Sequence, residues 1–194
     1  MKRTAMLFPL AACLMLAGCV PSLNPLYTEK DLVFESALVG VWAEQDDAQE
    51  TWAFEKAGEK QYKLVYTEQG KTGEFQVHLL KLGNTLYLDF FPESDGLKDS
   101  KRNDFYLSHF VPGHVFAKVT QIEPTLRMAV MNPDWLKKLL EKNPKAIDHQ
   151  GIGEERIVLT ASTTDLQKFV RTNSNEAFGD PATLKRIPPR HRKD

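Results

Sequence analysis

Between Gly40 and Met131, apolar and polar residues alternate with a period of two in one segment after another. Trp52 and Phe54, then Tyr62, Leu64 and Tyr66, then Phe75, Val77 and Leu79, then Leu86, Leu88 and Phe90 occupy every second position among mainly polar neighbours. Successive side chains of a strand point to opposite faces, so this pattern describes strands with one face in a core and the other in water. Turn formers punctuate the runs: Ala57-Gly58, Gln69-Gly70, Gly83-Asn84 and Pro112-Gly113 tolerate the dihedrals of tight turns. The predicted strands cover 38–43, 50–56, 60–67, 72–82, 84–91, 104–111, 114–120 and 125–131, an antiparallel meander. The longest gap is the loop 92–103, with Pro92, Ser94, Asp95, Gly96 and Asp99.

After residue 131 the period changes. Asn132-Pro133-Asp134 places a capping side chain, a proline at the first helical position and an acid in the first turn. Trp135, Leu136, Leu139 and Leu140 then form one apolar face, with Lys137, Lys138, Glu141 and Lys142 opposite. Asn143-Pro144 stops this helix, residues 155–160 read as a strand, and Ser162 with Asp165 caps a second helix striped by Leu166, Phe169 and Val170. Both stripes are expected to pack on the sheet.

The first eighteen residues differ from the rest. Lys2 and Arg3 precede an almost unbroken apolar run, Met6 to Leu16, which is the form of a secretory signal and too short for a membrane-spanning helix. The run ends Leu16-Ala17-Gly18-Cys19, and these four residues resemble the lipobox of bacterial lipoproteins at every position. The resemblance implies cleavage between Gly18 and Cys19, a diacylglycerol thioether on the Cys19 sulfur and acylation of the new amine. Two or three acyl chains hold a protein on a bilayer far more firmly than one, at about 0.8 kcal/mol per buried methylene. The residue after the cysteine is Val20 rather than aspartate, which by the same resemblance implies the periplasmic face of the outer membrane in a Gram-negative host. Cys13 lies within the signal, so Cys19 is the one cysteine of the processed chain and has no internal disulfide partner.

With 42% hydrophobic and 26% charged residues and a formal charge of -1, the chain has the composition of one ordinary globular domain and lacks the basic bias of a nucleic-acid binder. Losing Lys2 and Arg3 with the signal lowers the formal charge by two, to -3. Pro21 and Pro25 interrupt the residues after Cys19, and Thr28 with Asp31 forms a potential one-turn cap. Residues 19–36 are therefore expected to be the lipidated cysteine and a tether, which from Cys19 to Gly40 reaches roughly 60–70 Å fully extended at about 3.3 Å per residue. Residues 37–175 are expected to form the single domain. Residues 176–194, with Lys185, Arg186, Arg190, Arg192 and Lys193 broken by Pro188-Pro189, are expected to be a basic flexible tail.

Strands in this number, followed by helix, strand and C-terminal helix, resemble the lipocalin or calycin β-barrel, and Gly40-Val41-Trp42 resembles that family's G-x-W motif. The T-D-Y motif of the family has no counterpart. The resemblance implies a tryptophan at the closed end of the barrel beside an arginine from a late strand, which assigns Gly40, Trp42 and Arg156 to the barrel base. The stretches from Asn24 to Trp42 and from Val158 to Val170 also resemble uncharacterised envelope lipoproteins. An eight-stranded barrel holds either side chains or one small ligand. Trp52, Tyr62, Tyr66, Phe75 and Phe90 are the candidate cavity residues, and a hollow and a filled interior remain alternatives.

Sequence signals for catalysis are lacking: there is no G-x-S-x-G, H-E-x-x-H or S-x-x-K pattern. His109 and His114 flank Pro112-Gly113 without a third ligand at a suitable spacing, and Ser94, Asp95, Gly96, Asp99 and Asp104 do not follow the EF-hand pattern. No catalytic residue, metal or cofactor is expected. The expected protein is a non-enzymatic envelope lipoprotein held to the bilayer by acyl chains on Cys19. It either binds a small apolar or lipid-like ligand in its barrel or, with a filled barrel, engages an envelope protein through its loops.

Overall fold

The computed structural model describes residues 19–44, 49–93, 103, 107, 109–153 and 156–188. The expected signal peptide, the acidic loop residues Ser94, Asp95, Gly96, Asp99 and Asp104, and the terminal Arg190, Arg192 and Lys193 lie outside the described residues.

A two-residue strand β1 (Leu32–Val33) precedes β2 (Gly40–Ala43), β3 (Glu50–Lys56), β4 (Tyr62–Glu68), β5 (Lys71–Leu82), β6 (Thr85–Pro92), β7 (Val115–Gln121) and β8 (Thr125–Val130). Helix α1 (Pro133–Lys142), the hairpin β9 (His149–Ile152) and β10 (Arg156–Leu159), helix α2 (Thr163–Thr172) and β11 (Ala182–Ile187) follow. Strands β2 to β8 form an antiparallel meander, and β11 pairs with both β8 and β2. The result is a closed antiparallel barrel of eight strands.

The eighth strand is not the expected one. The described residues of 104–111 lack strand structure; Leu107 donates its N–H to the Asn103 carbonyl four residues back, a helical bond. Leu107 and Phe110 are three residues apart, a spacing that puts both on one face of a helical turn but on opposite faces of a strand. The barrel is closed instead by β11, within the segment expected to be a basic tail. Closure removes the unpaired edges of β2 and β8, and the strand is bracketed by Pro181 and Pro188. Its alternation buries Leu184 between exposed Thr183 and Lys185, a two-residue period that the basic residues obscure.

Two cores share one wall. Inside the barrel, Trp42, Phe54, Tyr62, Leu64, Val77, Leu79, Leu88, Leu126 and Leu184 are buried. Outside it, Leu80, Tyr87, Phe116 and Ala129 face Leu136 and Leu140 of α1 and Leu166, Phe169 and Val170 of α2. Both helical stripes therefore pack on the sheet. Both caps form as expected: Asn132 Oδ1 accepts from Asp134 and Trp135 N–H at 2.9 and 3.1 Å, and Ser162 Oγ accepts from Asp165 N–H at 3.2 Å. The predicted strand 155–160 is β10, paired with β9 in a separate two-stranded sheet.

Residues 19–36 are not a loose tether. Val20 and Leu26 are buried in the outer core. Ser22 exchanges two backbone hydrogen bonds of 2.8 Å with His114, and Pro21 and Leu23 bond to Leu159 at 2.9 Å on either side. The prolines exclude helix without preventing the segment from lying extended along barrel and hairpin. Further on, Thr28 N–H donates to Asp31 Oδ2 at 2.9 Å, and the Gln167 amide of α2 donates to the same oxygen at 2.8 Å.

Candidate functional site

The two ends of the barrel differ in how they are filled. At one end Trp42 is fully buried, its indole N–H donating to the Leu38 carbonyl at 2.9 Å. Arg186 lies across the ring, with its guanidinium carbon 4.3 Å from the ring centroid. Arg186 Nη1 donates to the Val39 carbonyl at 2.7 Å and Nη2 to that of Ala37. The guanidinium thus closes the one-turn 3-10 segment Ser36–Leu38 against the tryptophan, a cation–π contact tied to backbone acceptors. Gly40 has φ +142°, and a Cβ there would fall on Arg186 Nη1. Glycine is required at this position both for its backbone conformation and for the approach of the arginine.

The arginine assigned to the base from sequence is the wrong one. Arg156 lies on β10, exposed and paired with Ile152 outside the barrel. Arg186 is hidden in the sequence because Lys185 and the flanking prolines make its strand resemble a solvated tail; in register it stands opposite Trp42, with Ile187 opposite Val41. The signal was present as an alternation of Ala182, Leu184 and Arg186 between two prolines.

The cavity candidates also divide. Tyr62 opens β4 at the closed end: it stacks on Phe34, and its hydroxyl accepts from Glu35 N–H at 2.7 Å and donates to the Glu35 carbonyl at 3.1 Å. It is a plug with a satisfied hydroxyl and does not line the cavity. Trp52, Tyr66, Phe75 and Phe90 do line a cavity of about 150 Å³ towards the other end, together with Leu64, Val115, Ala117, Met128, Val130 and Cys19. Almost all of its wall is carbon. Trp52 packs against Tyr66 and Phe90 at centroid separations of 4.5 and 6.0 Å.

The carboxylate of Glu50 borders this aromatic group. Glu50 Oε1 accepts from the Trp52 indole N–H at 3.2 Å. Burial first, and then the charge of Glu50 and its hydrogen bond, push the Tyr66 hydroxyl far above the ordinary phenol range. It stays a neutral donor. Burial also pushes the Cys19 thiol up, which disfavours the thiolate and hence the chemistry of a reactive cysteine. Val115, Ala117, Met128 and Val130 were not singled out from sequence because β7 and β8 carry small or aliphatic inward residues; only the register of the closed barrel brings them opposite the aromatics.

Outside the barrel, buried Asp89 joins the N-terminal segment to the wall. Its Oδ2 accepts from Leu26 N–H at 2.8 Å, and its Oδ1 lies 2.7 Å from His114 Nδ1. Phe91 packs on the His114 ring and Tyr27 on the neighbouring His78, with centroids 4.5 and 4.3 Å apart. His114 is thus engaged by a carboxylate and a ring, and no cluster of three metal-ligating side chains occurs among the described residues.

No family model, no curated protein and no solved structure matches this chain.

Proposed function

We propose that the protein is a membrane-anchored envelope lipoprotein whose barrel binds a small apolar or lipid-like ligand, without enzymatic activity. The observation that carries this reading is the apolar cavity of about 150 Å³ at one end of the barrel, with Cys19, the lipobox cysteine, in its wall. An engineered dry cavity of about 150 Å³ takes benzene, so the space suits a short apolar molecule or a segment of acyl chain rather than a whole lipid. The few polar groups at the aromatic cluster, Glu50 and the Tyr66 hydroxyl, suit a ligand with one polar end. The signal-like N-terminus and the LAGC motif support delivery to the envelope and acylation of Cys19. Val20 in place of aspartate supports the outer membrane facing the periplasm in a Gram-negative host.

Native mass spectrometry of a soluble chain beginning at position 19 and carrying Cys19→Ser, with and without incubation in a bacterial lipid extract, tests the cavity with its wall complete. The expected result is a complex with one bound lipid-like molecule that Ala117→Leu abolishes. A chain that stays empty at every lipid concentration refutes ligand binding and favours a filled barrel that engages an envelope protein through its loops. Labelling of the full chain with radioactive palmitate tests the anchor. Label that persists in Cys19→Ser, in a protein still sedimenting with membranes, refutes acylation at Cys19.

A further inference from the structure

We infer that the barrel is held with its cavity mouth against the bilayer, so that an apolar ligand passes between membrane and cavity without crossing water. The inference rests on the lipid anchor proposed above and adds an orientation to it. An anchored domain can ordinarily tumble on its linker. Here Cys19 belongs to the cavity wall, and the residues behind it leave no slack. Val20 is buried, Ser22 is bonded twice to His114, and Leu26 is bonded to Asp89. Acyl chains leaving Cys19 bring the mouth to the headgroup layer, because the chain between lipid and barrel cannot extend.

A second feature of the same end points to the same surface. Phe110 and Val111 are among the most exposed large apolar residues, at 50% and 74%. The turn that carries them returns to the anchor: a Cβ on Gly113 would lie 3.2 Å from Pro21, and Val115, two residues on, lines the cavity. An exposed aromatic and an exposed branched residue beside the acylated position match the headgroup and acyl boundary of a bilayer. The opposite end, with Arg186, Glu123 and the β7–β8 turn, then faces away from the membrane.

The test is hydrogen exchange on the full, processed chain reconstituted in vesicles of phosphatidylethanolamine and phosphatidylglycerol, compared with Cys19→Ser protein in solution. The mass of the N-terminal peptide is read first. In protein carrying the lipid mass, amides of 109–113 and of the Gln69-Gly70 turn are expected to exchange several-fold more slowly in vesicles. Those of the Ala57–Gln61 and Ile122–Pro124 turns, at the closed end, should not change. Val111→Glu, an exposed change that leaves the core intact, should reduce the slowing at 109–113 while the lipid mass remains. Equal exchange at both ends, or protection confined to the closed end, overturns the orientation while leaving the anchor standing. An N-terminal peptide without lipid overturns the anchor and this inference together.

Discussion

The assignment of Arg186 rather than Arg156 to the barrel base makes a prediction that separates two residues of identical chemistry. Arg186→Ala removes two charge-assisted hydrogen bonds, to the Val39 and Ala37 carbonyls, and the contact with the Trp42 ring. Hydrogen bonds from a charged donor contribute about 1.5–3 kcal/mol each, and a cation over an indole about 0.5–2 kcal/mol. The Arg186 side chain is 38% exposed, so water can reach the freed carbonyls and the full sum is not lost. The expected cost is about 2–4 kcal/mol. For a domain of this size each kcal/mol lowers Tm by about 2–4 °C, giving a drop of roughly 5–15 °C. Urea unfolding followed by tryptophan fluorescence measures it, with an unchanged slope expected if only the native contacts are affected. Arg156→Ala, on the exposed hairpin, should stay within about 0.5 kcal/mol of the parent. Arg186→Lys should fall between the two, because lysine keeps the charge but not the planar fork. Equal losses for both alanine variants, or a loss below about 0.5 kcal/mol for Arg186→Ala, would refute this account of the base.

Leu166→Ala, on the buried stripe of α2, should cost about 2–5 kcal/mol in the same urea assay, whereas a helix merely resting on the barrel would lose far less. Asp89→Ala leaves the Leu26 N–H and His114 without their partner and should cost about 2–4 kcal/mol; limited proteolysis should then cut within residues 19–31, and a variant as resistant as the parent would count against a clamped N-terminal segment. Burial lowers the pKa of His78, more than the neighbouring Asp89 raises it. The unfolded chain therefore binds the proton more readily, and the contribution of His78 to stability should fall as pH drops below about 6.5. His78→Gln should flatten that part of the pH profile in urea melts between pH 7 and 5, and an unchanged slope would assign the titration elsewhere.

Much of this fold follows from local pattern alone. The period-two alternation of β3 to β6, the glycine turns between them, and the caps at Asn132 and Ser162 depend on neighbours within a few residues, and such signals are complete in the sequence. Trp52, Tyr66, Phe75 and Phe90 were legible as inward residues for the same reason. Three things were not local. The segment Ala182–Ile187 carries Lys185 and Arg186 and resembles a solvated tail until the open edges of β2 and β8, more than fifty residues away in the chain, make pairing favourable. Pro21 and Pro25 mark an irregular stretch, but only the presence of Asp89, His114 and Leu159 nearby turns it from a spacer into a fixed strap. The place of Cys19 in the cavity wall follows from that strap. The sequence by itself determined the strands from β2 to β8 and the two amphipathic helices. The tertiary structure decided which arginine meets Trp42, which strand closes the barrel and where the cysteine lies, because each depends on partners that only closure of the sheet brings within reach.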